Sequence, residues 1–165
     1  MLTYKTEPLT PELEKELMAL AEGYWQEVAG PFHAFPPDIW WISYRVLQDK
    51  GWLKIITARD EKGELMGGAF SVICPHQHYA CIMASIPLLY LHPSHRKGRE
   101  GVRLVKMIEK VSTEAGAQLI MTHGGMHNNV YRLFEGMDYR DFGRYFIKVS
   151  EEGPHGLKPI YKENK

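Results

Sequence analysis

The chain has 165 residues, 44% of them hydrophobic, and its 20 lysines and arginines equal its 20 aspartates and glutamates. That length suits one domain with a real buried core, and the even charge excludes a global field toward nucleic acid or a membrane surface. No apolar run approaches the ~20 residues of a membrane span. The opening Met1-Leu2-Thr3-Tyr4-Lys5 lacks an apolar signal core, and the two cysteines, Cys74 and Cys81, fit a reducing cytoplasm.

A short strand is predicted over 2–6, followed by a helix opened by Thr10 as cap and Pro11 in its first turn. Leu13, Leu17, Leu20, Ala21, Tyr24 and Val28 give this helix an apolar stripe, and Gly30-Pro31 should end it. The linker 30–37 carries Phe32, His33 and Phe35, whose crowding beside prolines suits the wall of a pocket or a partner surface. An aromatic helix is predicted over 38–49, stopped by Gly51. Two β-rich runs, 52–58 and 65–74, flank the hairpin turn Asp60-Glu61-Lys62-Gly63. A turn at 75–78 leads into a long strand over 79–91, bent near Pro87. A helix over 100–115, a strand over 118–122, a short helix over 128–136 and one or two strands over 139–149 complete the pattern. Residues 1–150 read as one domain and 151–165 as a tail.

The most informative stretch runs from Leu88 to Leu104: an apolar strand, a proline-ended turn, then a basic, glycine-bearing loop opening a helix. Unpaired N–H groups and the positive end of the helix dipole converge at such a start, where a phosphate is stabilised without a dedicated side chain. Val102, Leu104, Val105, Ile108 and Val111 mark the amphipathic helix behind it. Neither a Gly-x-x-x-x-Gly-Lys-Ser/Thr run nor a Gly-x-Gly-x-x-Gly run is present, which removes the P-loop and the dinucleotide fingerprint.

This stretch resembles the coenzyme A loop of the GNAT N-acetyltransferase superfamily, whose pattern is Arg/Gln-x-x-Gly-x-Gly/Ala between the fourth strand and the third helix. Arg96 takes the first position and Gly101 the last. Arg99 stands at the first glycine, and Gly98, one residue earlier, can supply the tight backbone approach. The resemblance implies that Arg96, Lys97, Gly98, Arg99, Glu100, Gly101 and Val102 meet the pyrophosphate, with three cations outweighing the Glu100 carboxylate. It also implies an α/β fold with a mixed, mostly antiparallel central sheet. Helices should cover both faces, and strands four and five should splay apart. Backbone at Leu89 and Leu91 would then hold the pantetheine and polarise the thioester.

The segment 121–139 is similar to the family's Asn-x-x-Ala-x-x-x-Tyr-x-x-x-Gly-aromatic pattern. Val130 fits the small apolar slot and Tyr139 the final aromatic, while Asn128 or Asn129 serves as the asparagine after a shift of one or two positions. Phe134 aligns with the family's tyrosine acid, and Asp138 replaces the glycine. No glutamate lies in the fourth strand. His123 is the substitute base, because histidine titrates near neutrality, and a turn histidine bonded to backbone is the alternative. Tyr131, one helical turn before Phe134, could serve as the acid or simply pack the short helix. His33 is a weaker third candidate, and Phe32, His33 and Phe35 would face the acceptor.

Cys74, His76, His78 and Cys81 carry zinc-binding side chains, but their spacing matches no standard zinc pattern and Pro75 breaks the extended register. A structural hairpin with surface histidines, and no metal, is expected. The reading that follows is an acetyl-CoA-dependent N-acetyltransferase acting on a small-molecule or protein amine, in the cytoplasm, without nucleic acid or membrane, as a monomer or homodimer. A non-catalytic acyl-CoA-binding protein is the alternative, and an interaction protein working through its aromatic helices is the third reading.

Overall fold

The computed structural model describes residues 1–29, 38–124 and 130–143. In chain order they form β1 (Thr3–Thr6), α1 (Pro11–Tyr24), a π-helical turn (Trp25–Ala29), α2 (Trp41–Asp49), β2 (Leu53–Arg59), β3 (Leu65–Pro75), β4 (Ile82–Leu91), a 3-10 turn (Pro93–His95), α3 (Glu100–Glu114), β5 (Leu119–Thr122) and α4 (Val130–Glu135). The sheet order is β1-β2-β3-β4-β5, antiparallel from β1 to β4 and parallel between β4 and β5. This is the mixed, mostly antiparallel sheet expected. Of the final strands expected over 139–149, residues 139–143 form none and the rest lie outside the described residues, as does the tail over 151–165. The chain divides into two compact units, Met1–Leu20 with Trp40–His123, and what is described of Ala21–Ile39 with Gly124–Lys165. Among the described residues, no helix is long and apolar enough to cross a membrane.

In the first unit, two apolar layers sandwich the sheet. Leu9, Leu13 and Leu17 pack with Leu53, Ile55 and Phe70 on one face, joined by Trp41, Tyr44 and Leu47 of α2. Leu104 and Ile108 of α3 pack with Ile56, Ala69 and Ile86 on the other. Each buried Leu, Ile or Phe among them, fully withdrawn from water, contributes roughly 1.5–3 kcal/mol. Thr10 does cap α1, its Oγ1 accepting the Leu13 N–H at 3.2 Å. The α2 helix begins at Trp41 rather than at 38. Trp40 sits at the cap with ψ 78°, outside helical geometry, and remains 68% exposed. Ile42 and Val46, one helical turn apart, also face solvent, so only one side of this aromatic helix is core.

The turn between β2 and β3 is held by Asp60, whose Oδ1 accepts the N–H groups of Lys62 and Glu64 at 2.9 Å each, with Gly63 at φ +83°. Two ion-pair braces tie the α1 and α2 side together. Arg59 of β2 grips both oxygens of Glu7 at 3.1 Å and both of Glu16 at 2.9 and 2.6 Å. Arg45 of α2 holds both oxygens of the buried Glu14.

The strand β4 is irregular at one place. Phe70 pairs with Leu88 and Val72 with Ser85, so Ile86 and Pro87 together oppose the single residue Ser71. Two residues against one is a β-bulge, which bends the strand and sharpens its twist. Proline has no N–H for a ladder, and a bulge is one of the few strand positions that tolerates it.

Candidate active site

The parallel pairing of β4 with β5 covers Met83 to Ile86 against Leu119 to Thr122 and stops there, at the bulge. Beyond it β4 continues to Leu91 with a partner on the β3 side only, among the described residues. Antiparallel pairs alternate between bonded and non-bonded positions. The His92 N–H donates to the Met66 carbonyl at 2.7 Å, which fixes that alternation. Tyr90 and Leu88 therefore bond to β3, whereas the N–H groups of Leu89 and Leu91 face the side where β5 has ended. These are the two residues the resemblance singled out. The Leu89 side chain lies on the α3 face and that of Leu88 on the α1 and α2 face, so the gap has an apolar wall on each side.

The chain leaves β4 through the 3-10 turn and reaches α3 within a few residues. Gly98 has φ +79°, the left-handed geometry that glycine adopts without a steric cost. Arg99 caps α3 and makes no side-chain cap bond. The usual Ser, Thr, Asp or Asn would have satisfied first-turn N–H groups. The first helical bond is Arg103 N–H to the Arg99 carbonyl at 2.9 Å, so the amides of Glu100, Gly101 and Val102 are open at the helix start among the described residues. Lys97 and Arg99 are exposed beside them. Arg96 is fixed more firmly. Its Nε donates to the Leu91 carbonyl at 2.6 Å and its guanidinium lies 5.2 Å from the Tyr90 ring, tying the loop to the open end of β4.

Glu100 differs from the sequence expectation in its surroundings. Its carboxylate accepts from the Tyr4 hydroxyl at 2.6 Å and from Arg103 Nη1 at 3.0 and 3.2 Å. The Tyr4 bond, then the Arg103 charge, holds Glu100 below the usual carboxylate range. Burial and the same bond push the Tyr4 phenol far above its own, so it remains a donor. Arg103 thus shares in answering the Glu100 carboxylate, beside Arg96, Lys97 and Arg99. The Glu100 to Arg103 spacing is a readable helical pair. Tyr4, on β1 and remote in sequence, carries no local signal.

His123 immediately follows β5 and is exposed. One residue earlier, Thr122 ends the β4 pairing with its Oγ1 buried and, among the described residues, without a hydrogen-bond partner. A buried hydroxyl left unpaired costs about 1–3 kcal/mol and calls for a physical reason. Sequence reading missed it, since threonine is an ordinary strand residue. The expected hairpin is also present. His76 Nδ1 accepts the N–H groups of His78 and Tyr79 at 3.1 and 3.3 Å, so this histidine caps its own turn. No cluster of three or more metal-binding side chains exists among the described residues.

In the second unit, α4 ends in a Schellman turn. The Tyr139 N–H bonds the Phe134 carbonyl at 3.1 Å and the Asp138 N–H the Glu135 carbonyl at 3.3 Å. Asp138 stands at φ +64°, so the aspartate adopts the left-handed geometry that a glycine would take there. Phe134 is buried against Tyr139, ring centroids 5.2 Å apart, whereas Tyr131 is 40% exposed with Arg132 over its ring at 5.9 Å. Phe32, His33, Phe35, Asn128 and Asn129 lie outside the described residues.

No protein-family model and no curated protein matches the sequence. Solved structures do match its fold. A ribosomal-protein-alanine N-acetyltransferase from Brucella melitensis biovar Abortus 2308 superposes with TM-score 0.66 at 16% identity, covering 91% of this chain and 100% of that one. AAC(6')-Iy, solved with the bisubstrate analog CoA-S-monomethyl-acetylneamine, gives TM-score 0.68 at 14% identity over 91% and 98%. A transcriptional regulator from Bacillus halodurans C-125 gives 0.71 at 17% identity over 91% and 100%. The gap beside a bulged fourth strand, the uncapped helix that follows it and these superpositions agree: the chain has the GNAT N-acetyltransferase fold.

Proposed function

We propose that the protein transfers an acetyl group from acetyl-CoA to a primary amine by direct attack. One observation carries the reading: the N–H groups of Leu89 and Leu91 face a gap in the sheet, and the open amides of α3 begin just beyond it. The donor set suits an amide-bearing chain ending in phosphates. Leu89 and Leu91 would hold the pantetheine and polarise the thioester, and electrostatic preorganisation of that kind can carry much of such a reaction. Arg96, Lys97 and Arg99, with the amides of residues 98–102, would hold the pyrophosphate, and Asn128 or Asn129 would add a contact. The amine nitrogen attacks the carbonyl carbon, the carbon–sulfur bond breaks, the nitrogen loses a proton and the thiolate gains one. His123 is the base on this reading and Tyr131 the acid. Phe32, His33 and Phe35 border a small-molecule or protein acceptor, and the free Cys74 and Cys81 suit a reducing cytoplasm. A superposed structure carrying a CoA bisubstrate analog supports the choice of donor.

The second reading is a non-catalytic acyl-CoA-binding protein. Phe134, buried and without a proton to give, supports it, because it occupies the position of the family's acid. Calorimetry with CoA and acetyl-CoA, followed by thiol release over a panel of amines, separates the two. Acetyl transfer that falls in His123→Phe or Tyr131→Phe at an unchanged melting temperature supports the first. Tight CoA binding with no thiol release from any amine or amine-bearing peptide selects the second. Absence of CoA affinity overturns both.

A further inference from the structure

The first residue of α3 is a glutamate, a charge opposite to what a phosphate-binding turn needs. A carboxylate at a helix start is favourable in itself, since it answers the positive end of the dipole. That makes it a rival for any phosphate seeking the same amides. The hydrogen bonds direct it elsewhere. Tyr4 donates to Glu100 Oε2 at 2.6 Å, Arg103 donates to both carboxylate oxygens, and the Arg103 guanidinium stands 5.0 Å over the Tyr4 ring. The three side chains close a triangle on the flank of α3, between β1 and the helix. The Tyr4 hydroxyl is also 2.9 Å from the Glu100 carbonyl oxygen, but its single proton favours the charged acceptor, which forms the shorter and stronger bond. The Tyr4 ring packs in the layer between α3 and the sheet, so the phenol has little freedom to follow a moving carboxylate.

We infer that Tyr4 is a positioning residue for the phosphate-binding turn: with Arg103 it draws the Glu100 carboxylate off the α3 start and leaves the Gly101 and Val102 amides to the cofactor's phosphates. This rests on the CoA reading above. Without the phenol, Glu100 regains side-chain rotamers that bring its charge over those amides. Tyr4→Phe keeps the ring and its stacking with Arg103 and removes only the donor.

The test is the calorimetric Kd of CoA for wild type, Tyr4→Phe, Glu100→Gln and the double variant, at two salt concentrations. Tyr4→Phe should weaken CoA about tenfold or more, the worth of a hydrogen bond to a charged group. Glu100→Gln should tighten it about two- to threefold and steepen the loss of affinity with salt, because a like charge that opposed the attraction to the phosphates is gone. The double variant should bind as Glu100→Gln does. Arg103→Gln supplies an independent arm, weakening CoA in the same way and rescued by the same Glu100→Gln change. If the double variant is as weak as Tyr4→Phe, the tyrosine acts by packing and the inference fails. Wild-type affinity in Tyr4→Phe sinks it as well. A wild-type protein with no CoA affinity would refute the cofactor reading itself, and the positioning role with it.

Discussion

The two sides of the first unit use their polar groups in opposite ways. On the α1 and α2 side, Arg59 saturates Glu7 and Glu16, Arg45 saturates Glu14, and Gln48 both donates to and accepts from the Leu9 backbone. Where β4 opens toward α3, backbone donors at Leu89, Leu91, Gly101 and Val102 are held in place and directed outward, while Thr122 keeps a buried hydroxyl that has no partner among the described residues. A side that satisfies itself contributes stability. A side that leaves donors over is built around something that arrives later, and the difference teaches where each kind of mutation should be felt.

The largest effect should come from the self-satisfied side. Arg59→Met strands two carboxylates at once and should cost roughly 3 kcal/mol in a denaturant melt, more than an exposed pair could, because Arg59 is 19% exposed and bonded five ways, four times to carboxylates and once to the Gly63 carbonyl. Hydrogen bonds from Arg59 hold both Glu7 and Glu16 below the usual carboxylate range. Folded values below the unfolded ones mean stability that is complete above pH ~4.3 and is lost as pH falls through the lowered folded values. Arg59→Met should flatten that acid limb. An unchanged limb would show that the acid sensitivity arises elsewhere.

At the open side the same logic inverts. Gly101→Val, in the first turn of α3, should weaken CoA at least about thirtyfold, near 2 kcal/mol, with little change in the melting temperature. A large fall in melting temperature with unaltered CoA affinity would erase the distinction between the two sides. Thr122→Val, which keeps the shape and removes the unpaired hydroxyl, should stabilise the ligand-free protein by about 1 kcal/mol. A loss of stability would mean that the hydroxyl is satisfied in solution. The smallest effect should appear at the end of α4. Asp138→Gly relieves a left-handed aspartate at φ +64° and should add about 0.5 kcal/mol without altering either side of the first unit.

Local spacing alone determined the parts of this protein that are decided within a helical turn or a hairpin. The Asp60 to Gly63 turn, the Thr10 cap, the amphipathic α3 and its basic, glycine-bearing start all follow from neighbours a few residues apart. Even Ser112 at a fully buried α3 position follows the helical spacing from Leu104 and Ile108, although its polarity hid it. Its hydroxyl meets Ser71 of β3 at 2.8 Å, a partner no local pattern names. Pro87 announced a bend. Which amides the bend releases was fixed only when β4 took its register against β3 on one side and β5 on the other, since a slip of one residue would exchange Leu89 and Leu91 for Leu88 and Tyr90. The burden placed on Glu100 was likewise settled in three dimensions, by a tyrosine from β1 that sheet order brings beside α3. Partners joined across strands are set by register and layer packing, to which the spacing of residues along the chain is blind.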